Sequence, residues 1–164
     1  MSQFALPTSG GARVAVREFA PATAARGSVV LGGAMGVPQS YYAPFAQWLA
    51  AQGWRVTTFD YRGHGDSLAL GPALRHLRAD LSDWARDYDA VIAHSAQVLS
   101  GKPLLLIGHS LGAQLPGLLR EHARVSGLLS VAAGSGYWRE NAPRIRRAMP
   151  YFWHVLVPLS VRLC

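Results

Sequence analysis

The chain has 164 residues, half of them hydrophobic, and its formal net charge is +7 at pH 7. This length and hydrophobic content exclude a disordered chain and favour one domain with a substantial core. A single cysteine, Cys164, excludes an internal disulfide framework. Because residues 1–11 lack the pattern of a secretory signal, we expect a reducing, cytoplasmic location.

The positive charge does not predict a nucleic-acid partner. From residue 120 onward seven arginines stand against two glutamates, but lysine occurs once in the whole chain, which indicates a coding preference for arginine. Neither an arginine–aromatic alternation nor a zinc-ligand spacing accompanies the charge, so we predict no nucleic-acid binding and no metal site. The aromatic segment 149–163 is too short and interrupted to span a bilayer. Weak association with a membrane surface, through this segment and nearby arginines, stays open as an alternative.

Strands and helices are predicted to alternate along the chain. The strands are expected at residues 13–19, 28–31, 55–59, 103–107 and 128–132. The helices are expected at residues 42–52, 80–99, 110–119 and 138–147, with an amphipathic helix at 149–163. This alternation predicts an α/β fold, with a mostly parallel sheet covered by helices on both faces. Glycine-bearing loops follow three of the strands, where ligands bind in such sheets, at residues 32–36, 60–67 and 108–112.

The third of these loops carries Gly108-His109-Ser110-Leu111-Gly112, a G-x-S-x-G sequence between a predicted strand and a predicted helix. A sharp turn here would lift the Ser110 side chain out of the end of the sheet, as in the nucleophile elbow of serine hydrolases. Side chains at positions 108 and 112 would collide with the neighbouring strand and helix, which favours glycine at both. Ser110 is therefore the candidate nucleophile, and His109 is expected to pack or to line the substrate pocket.

A serine nucleophile needs amide donors for the oxyanion that forms on the attacked carbonyl group. Leu111 follows the nucleophile at the start of the predicted helix, where amides have no intrahelical acceptor, so its amide is the first candidate donor. The second donor is expected from the loop after the strand at 28–31. Met35 is the candidate there, and Ala34 is the alternative.

Three motifs make the chain resemble the α/β-hydrolase superfamily, particularly its serine aminopeptidase-like and monoacylglycerol-lipase-like branch. Residues 108–112 look like the family's elbow, and residues 60–67 are similar to its D-x-R-G-H-G-x-S loop. Residues 33–36 stand where the family has a His-Gly oxyanion loop, with Gly33 or Ala34 in place of the histidine-glycine start. The resemblance covers most of residues 28–138. It implies hydrolysis of carboxylic esters, lipid-like ones included, or of amides, through an acyl-enzyme, with a small-molecule acyl substrate and no cofactor.

The resemblance also implies a structural role for the 60–67 loop. In the family this loop shapes the rim of the site, so His64 is not expected to be the catalytic base. Asp60 and Arg62 are expected to hold the loop through charge-assisted hydrogen bonds.

A catalytic triad in this fold follows the order Ser, acid, His along the chain. After Ser110 the sequence offers no aspartate; its acids and histidines there are Glu121, Glu140, His122 and His154. The first Glu-His pair lies too close to Ser110 in sequence to fold back. No further strand fits between Glu140 and His154, so neither pair is predicted to complete a triad.

We therefore expect residues 1–138 to be the N-terminal part of a hydrolase core, truncated before its last strands and open at the edge of the strand at 128–132. Residues 139–164 are expected to begin a helical cap or lid, and Tyr137 and Trp138 to line the substrate site. The alternative is a non-catalytic hydrolase remnant that acts as a binding or interaction module.

Overall fold

The computed structural model describes residues 1–135 and 137–163, with side chains up to residue 160. The chain divides into two compact units, Met1–Ala133 and the segment that begins at Gly134. The first unit contains every described strand, and the described part of the second is helical or irregular.

One mixed sheet forms the centre of the first unit. Its six strands within the described residues are β1 (Ser2–Pro7), β2 (Arg13–Phe19), β3 (Ser28–Gly32), β4 (Arg55–Phe59), β5 (Leu104–His109) and β6 (Gly127–Val131). Their spatial order is β1-β2-β4-β3-β5-β6. Strands β3 to β6 are parallel, whereas β1 and β2 are antiparallel to their neighbours. The predicted α/β fold with a mostly parallel sheet is confirmed.

Strand β1 was not predicted from the sequence. It pairs along its whole length with β2, and Phe4 and Leu6 pack against the core while remaining partly exposed. Two inward apolar side chains in a six-residue segment that ends in proline give too weak an alternation to predict a strand. The pairing is therefore set by the neighbour β2 rather than by a local pattern.

Strand β6 lies at the other edge of the sheet. Among the described residues it pairs with β5 alone, and three of its apolar side chains are exposed: Leu128, Leu129 and Val131. The open sheet edge predicted beside the strand at 128–132 is thus present. The strand itself begins and ends one residue earlier than predicted.

Helices cover both faces of the sheet because successive strand residues point to opposite sides. On one face Val29 packs with the side chains of α1 (Ala43–Ala51). On the other face Val30 packs with α2 (Leu81–Val98), whose Tyr88 is fully buried. Helix α2 begins with a reciprocal capping box, in which Asp80 accepts from the Asp83 amide at 3.0 Å. Both helices match the predicted segments to within a residue or two.

The predicted helix at 110–119 is wrong in its length. Helix α3 covers only Leu111–Gln114, and a 3₁₀ turn at Leu115–Leu118 follows it. Pro116 has no amide hydrogen, and its ring clashes with the carbonyl four residues earlier, which disfavours continuation of the α-helix at this position. Leu115 nevertheless remains buried in the core, as its predicted apolar face requires.

The second unit contains α4 (Pro143–Tyr151), a π-helical turn (Phe152–Leu156) and α5 (Val157–Leu163). The helix predicted at 138–147 is wrong in its bounds: a 3₁₀ turn at Trp138–Glu140 is separated from α4 by Asn141 and Ala142. Ala142 is extended because a residue before proline is disfavoured in the helical region. The segment 149–163, predicted as a helix, is helical throughout and is formed by the end of α4, the π-helical turn and α5. None of the helices in the described residues is long and apolar enough to cross a bilayer.

Shorter 3₁₀ turns occur in the first unit's connections. They lie at Ser9–Gly11, Gln39–Tyr42, Gly65–Leu70, Leu74–His76 and Glu121–Arg124. The turns at Gln39–Tyr42 and Gly65–Leu70 lie in the connections that follow β3 and β4, and they carry residues that shape the candidate site.

Candidate active site

Ser110 occupies a strained turn between β5 and α3. Its backbone has φ 51° and ψ −112°, a left-handed conformation that costs a non-glycine residue about 1–3 kcal/mol. The surrounding structure holds this turn, because the Ser110 amide donates to the Val131 carbonyl at 2.9 Å and its carbonyl accepts from the Ala113 amide at 2.9 Å. The predicted strand–turn–helix at Ser110 is therefore confirmed.

The glycines of the elbow are required by close backbone contacts. A Cβ added to Gly112 would lie 2.1 Å from the Gly32 carbonyl oxygen, and one added to Gly108 would lie 2.4 Å from the Gly112 oxygen. Gly32 and Gly108 are themselves direct partners in the β3–β5 register. The predicted collisions are confirmed, and they join the elbow to the loop that follows β3.

The oxyanion candidates lie on this same junction. Leu111 is the first residue of α3, so its amide has no intrahelical acceptor, whereas the next amide, of Gly112, donates to the Gly33 carbonyl at 3.1 Å. The Ala34 amide donates to the Tyr42 hydroxyl at 2.8 Å. Because the Ala34 amide already donates to Tyr42, Met35 is favoured as the second donor to the oxyanion. Both donor assignments stay predictions.

His109 is partly buried and contacts Tyr42. Its Nδ1 lies 3.0 Å from the Tyr42 hydroxyl, and the two ring centroids are 6.0 Å apart in an edge-on arrangement. Burial raises the pKa of the Tyr42 hydroxyl above its ordinary value, although the Ala34 amide acts in the opposite direction. His109 is thus packed against a buried phenol, and a part for it in lining the substrate pocket stays a prediction.

The 60–67 loop is fixed by Asp60, which is almost fully buried. Its carboxylate accepts from the amides of Gln39 at 2.7 Å and Asp66 at 2.9 Å, and its Oδ1 lies 3.6 Å from Nδ1 of His64. The Ser67 hydroxyl donates to the Asp60 carbonyl at 2.7 Å and accepts from the β2 amide of Ala15 at 2.8 Å. His64 is therefore engaged with the loop's own carboxylate.

Arg62 anchors the same loop to α2. Its guanidinium donates to Asp87 at 2.6 Å and to Asp83 at 3.0 Å, and its amide donates to Asp87 at 2.9 Å. Asp87 is fully buried, and its hydrogen bond raises the pKa of Arg62. The predicted charge-assisted hydrogen bonds of Asp60 and Arg62 are confirmed. Asp60 accepts from backbone amides, whereas Arg62 donates to carboxylates of α2.

The remaining predicted site residues belong to the second unit. Tyr137 is half exposed, and its ring centroid lies 6.3 Å from that of Trp138. Glu140 accepts a hydrogen bond from the Ser135 hydroxyl, and His154 lies in the π-helical turn. Substrate lining by Tyr137 and Trp138 stays a prediction.

Within Met1–Ala133, no imidazole or carboxylate makes a hydrogen bond with the Ser110 hydroxyl. The same part of the chain contains no group of three or more His, Cys, Asp or Glu side chains that could hold a metal ion.

Sequence reasoning missed Tyr42 and Asp87. The sequence predicts Tyr42 only as the first residue of a helix, and Asp87 only as a residue inside another helix. Their partners are remote along the chain, with Ala34 eight residues from Tyr42 and Arg62 25 residues from Asp87. No local signal marks either contact.

Known proteins support this architecture. The chain is similar in sequence to the monoacylglycerol lipase of Mycolicibacterium smegmatis, with 35% identity over 103 residues. These residues are 63% of this chain and 35% of the lipase. The fold of this chain is similar to that of a thermostable carboxyl esterase from Bacillus coagulans, with a TM-score of 0.72 and 18% identity. The match covers 96% of this chain and 50% of the esterase. A monoglyceride lipase from Saccharomyces cerevisiae gives a TM-score of 0.65 and 20% identity, with coverage of 79% of this chain and 44% of that one.

The chain thus spans about a third of the length of the curated relative and about half of each of these solved structures. A family model described as serine aminopeptidase, S33, matches residues 23–161, which is most of the chain. With the elbow at Ser110 and the strand order of the sheet, this match shows that the chain belongs to the serine aminopeptidase S33 family of α/β-hydrolases.

Proposed function

We propose that this chain carries the nucleophile and oxyanion hole of a hydrolase that cleaves carboxylic esters through an acyl-enzyme at Ser110. The single observation that carries the proposal is the strained Ser110 backbone at the junction of β5 and α3. Strain of this kind persists only where surrounding contacts enforce it, and it concentrates at functional sites.

In the proposed reaction the Ser110 oxygen attacks the carbonyl carbon of the substrate and forms a new C–O bond. The carbonyl π electrons move to oxygen, and the amides of Leu111 and Met35 donate to the resulting oxyanion. A general base takes the hydroxyl proton and returns it to the alcohol as the ester C–O bond breaks. Water then attacks the acyl carbon while the base takes its proton, the bond between that carbon and the Ser110 oxygen breaks, the base returns the proton to the Ser110 oxygen, and the carboxylic acid leaves.

Lipid-like esters are the favoured substrate class within this proposal. The similar proteins named above include a monoacylglycerol lipase and a carboxyl esterase, which supports esters over amides. Amide hydrolysis stays the competing chemistry, because the family description is that of an aminopeptidase.

The test compares Ser110→Ala with Ser100→Ala in the intact protein, since Ser100 is an exposed serine in a turn after α2. Hydrolysis of p-nitrophenyl butyrate, a monoacylglycerol and an aminoacyl p-nitroanilide is measured for each. We expect Ser110→Ala to lower ester hydrolysis by at least about 1,000-fold and Ser100→Ala to leave it unchanged. Ester hydrolysis that survives in Ser110→Ala contradicts the proposal, and a preference for the anilide redirects it to amides.

The second candidate function is binding of an acyl ligand without turnover. The observation that favours it is that two histidines of the glycine-bearing loops lie beside other groups: Nδ1 of His109 is 3.0 Å from the Tyr42 hydroxyl, and Nδ1 of His64 is 3.6 Å from Oδ1 of Asp60. A binding module would retain a monoacylglycerol in equilibrium dialysis while the wild type releases no fatty acid from it. Turnover of that ligand by the wild type excludes this candidate.

A further inference from the structure

Tyr42 connects the two segments that the proposed mechanism needs to be in register. It is the residue immediately before α1, and it is 8% exposed, so its hydroxyl sits among protein atoms. That hydroxyl contacts the Ala34 amide of the loop after β3 and the His109 ring of the elbow, at 2.8 Å and 3.0 Å.

The Ala34 contact has a fixed direction, because the Ala34 N–H can only donate and the Tyr42 oxygen therefore accepts. Accepting from Ala34 leaves the hydroxyl hydrogen available for the second contact, to Nδ1 of His109. When the hydroxyl donates there, Nδ1 is unprotonated and a neutral His109 carries its proton on Nε2.

The ring of Tyr42 also supports the loop. A Cβ added to Gly33 would lie 3.1 Å from the Tyr42 ring carbon Cε2, so the ring packs closely against the Gly33 backbone. The Gly33 carbonyl accepts from the Gly112 amide of the elbow. Gly33 is thus held by Tyr42 and by α3, two residues before Met35.

We propose that Tyr42 is a positioning residue for hydrolysis: its hydroxyl occupies the Ala34 amide, which leaves the Met35 amide for the oxyanion, and it holds His109 in its Nε2–H form beside Ser110. This inference rests on the proposed function of Ser110. A bond that fixes a donor loop matters most in the transition state, when the oxyanion forms, so its loss lowers kcat rather than raising KM.

The test replaces Tyr42 by phenylalanine, with Tyr41→Phe as the matched control, because Tyr41 is the adjacent tyrosine and is 69% exposed. In the intact protein we expect Tyr42→Phe to lower kcat for p-nitrophenyl butyrate by about tenfold with KM unchanged, and Tyr41→Phe to change neither. An unchanged kcat in Tyr42→Phe, while Ser110→Ala abolishes hydrolysis, overturns the positioning role and leaves the proposed function standing. Hydrolysis that persists in Ser110→Ala removes the proposed function itself.

A second measurement examines His109 in the wild-type protein. A long-range ¹H–¹⁵N spectrum of the histidine-labelled wild type, with His109→Gln to assign its signals, reports which ring nitrogen of His109 carries the proton. We expect protonation at Nε2 in the wild type and a changed Nδ1 signal in Tyr42→Phe. Protonation at Nδ1 in the wild type overturns the inference, whether or not the variant folds.

Discussion

Replacing Gly112 by alanine places a methyl group where the structure has no room for it. The added Cβ lies 2.1 Å from the Gly32 oxygen and 2.4 Å from the Gly32 carbonyl carbon, both in the backbone and both far inside the 3.4 Å of ordinary contact. Strand β3 or helix α3 must therefore move. Overpacking of this kind costs about 1–3 kcal/mol of unfolding free energy.

Activity is expected to fall further than stability in the same variant. The displaced Gly32 is followed directly by Gly33, whose carbonyl accepts from the Gly112 amide at 3.1 Å, and then by the candidate oxyanion donors. A shift of about 1 Å at catalytic groups lowers the rate by about 100-fold.

The matched control is Gly117→Ala, because a Cβ at Gly117 meets nothing within 4 Å. Urea denaturation followed by tryptophan fluorescence gives the unfolding free energies, and hydrolysis of p-nitrophenyl butyrate gives the rates. We expect Gly117→Ala to keep the wild-type rate and to change stability by no more than about 1 kcal/mol. If Gly112→Ala matches the wild type in both measurements, the close packing of the elbow against β3 is refuted.

Two further predictions concern the loop after β4 and its partners on α2. Arg62→Ala leaves the fully buried Asp87 without its charge partner, so we expect the free energy of unfolding, measured in urea, to fall by about 3–5 kcal/mol. The control is Arg86→Ala, which removes a more exposed ion pair and is expected to cost about 0–1 kcal/mol. Equal losses in the two variants would contradict the anchoring role of Arg62. The pKa of Asp83 is lowered from its ordinary 3.8, first by the Arg86 side chain, then by the Asp80 amide. Because the folded pKa is the lower one, this carboxylate stabilises the fold above pH 3.8 and loses that effect as the pH falls through the folded pKa. Asp83→Asn is thus expected to be less stable than the wild type at pH 7 and to approach it as the pH falls below 3.8, and a difference that stays constant with pH would count against the assignment.

The elbow was predictable from the sequence because its chemistry is local. Glycines at positions 108 and 112 flank a serine between an apolar strand and a helix start, and the structure places that serine at φ 51°. The length of α3 was open to the same local reasoning, since Pro116 stands in the middle of the predicted helix. The helical spacing of the leucines nevertheless predicts a helix that continues past Pro116, whereas the structure keeps Leu115 buried with a 3₁₀ turn.

Contacts between distant segments were not predictable. The Tyr42 hydroxyl joins Ala34 to His109, and the latter is 67 residues away along the chain. Strand β1 is likewise specified by its partner β2 rather than by its own weak alternation. Such features depend on which elements the folded sheet brings together, and one sequence gives no measure of that.

Peptide mapping of a covalent adduct tests whether Ser110 is the nucleophile. The intact protein is treated with a fluorophosphonate, which reacts with activated serines, and is then digested and sequenced by mass spectrometry. We expect one phosphonylated serine, Ser110, with loss of ester hydrolysis in proportion to labelling. An adduct on another serine that accounts for the lost hydrolysis, with Ser110 unmodified, would contradict it.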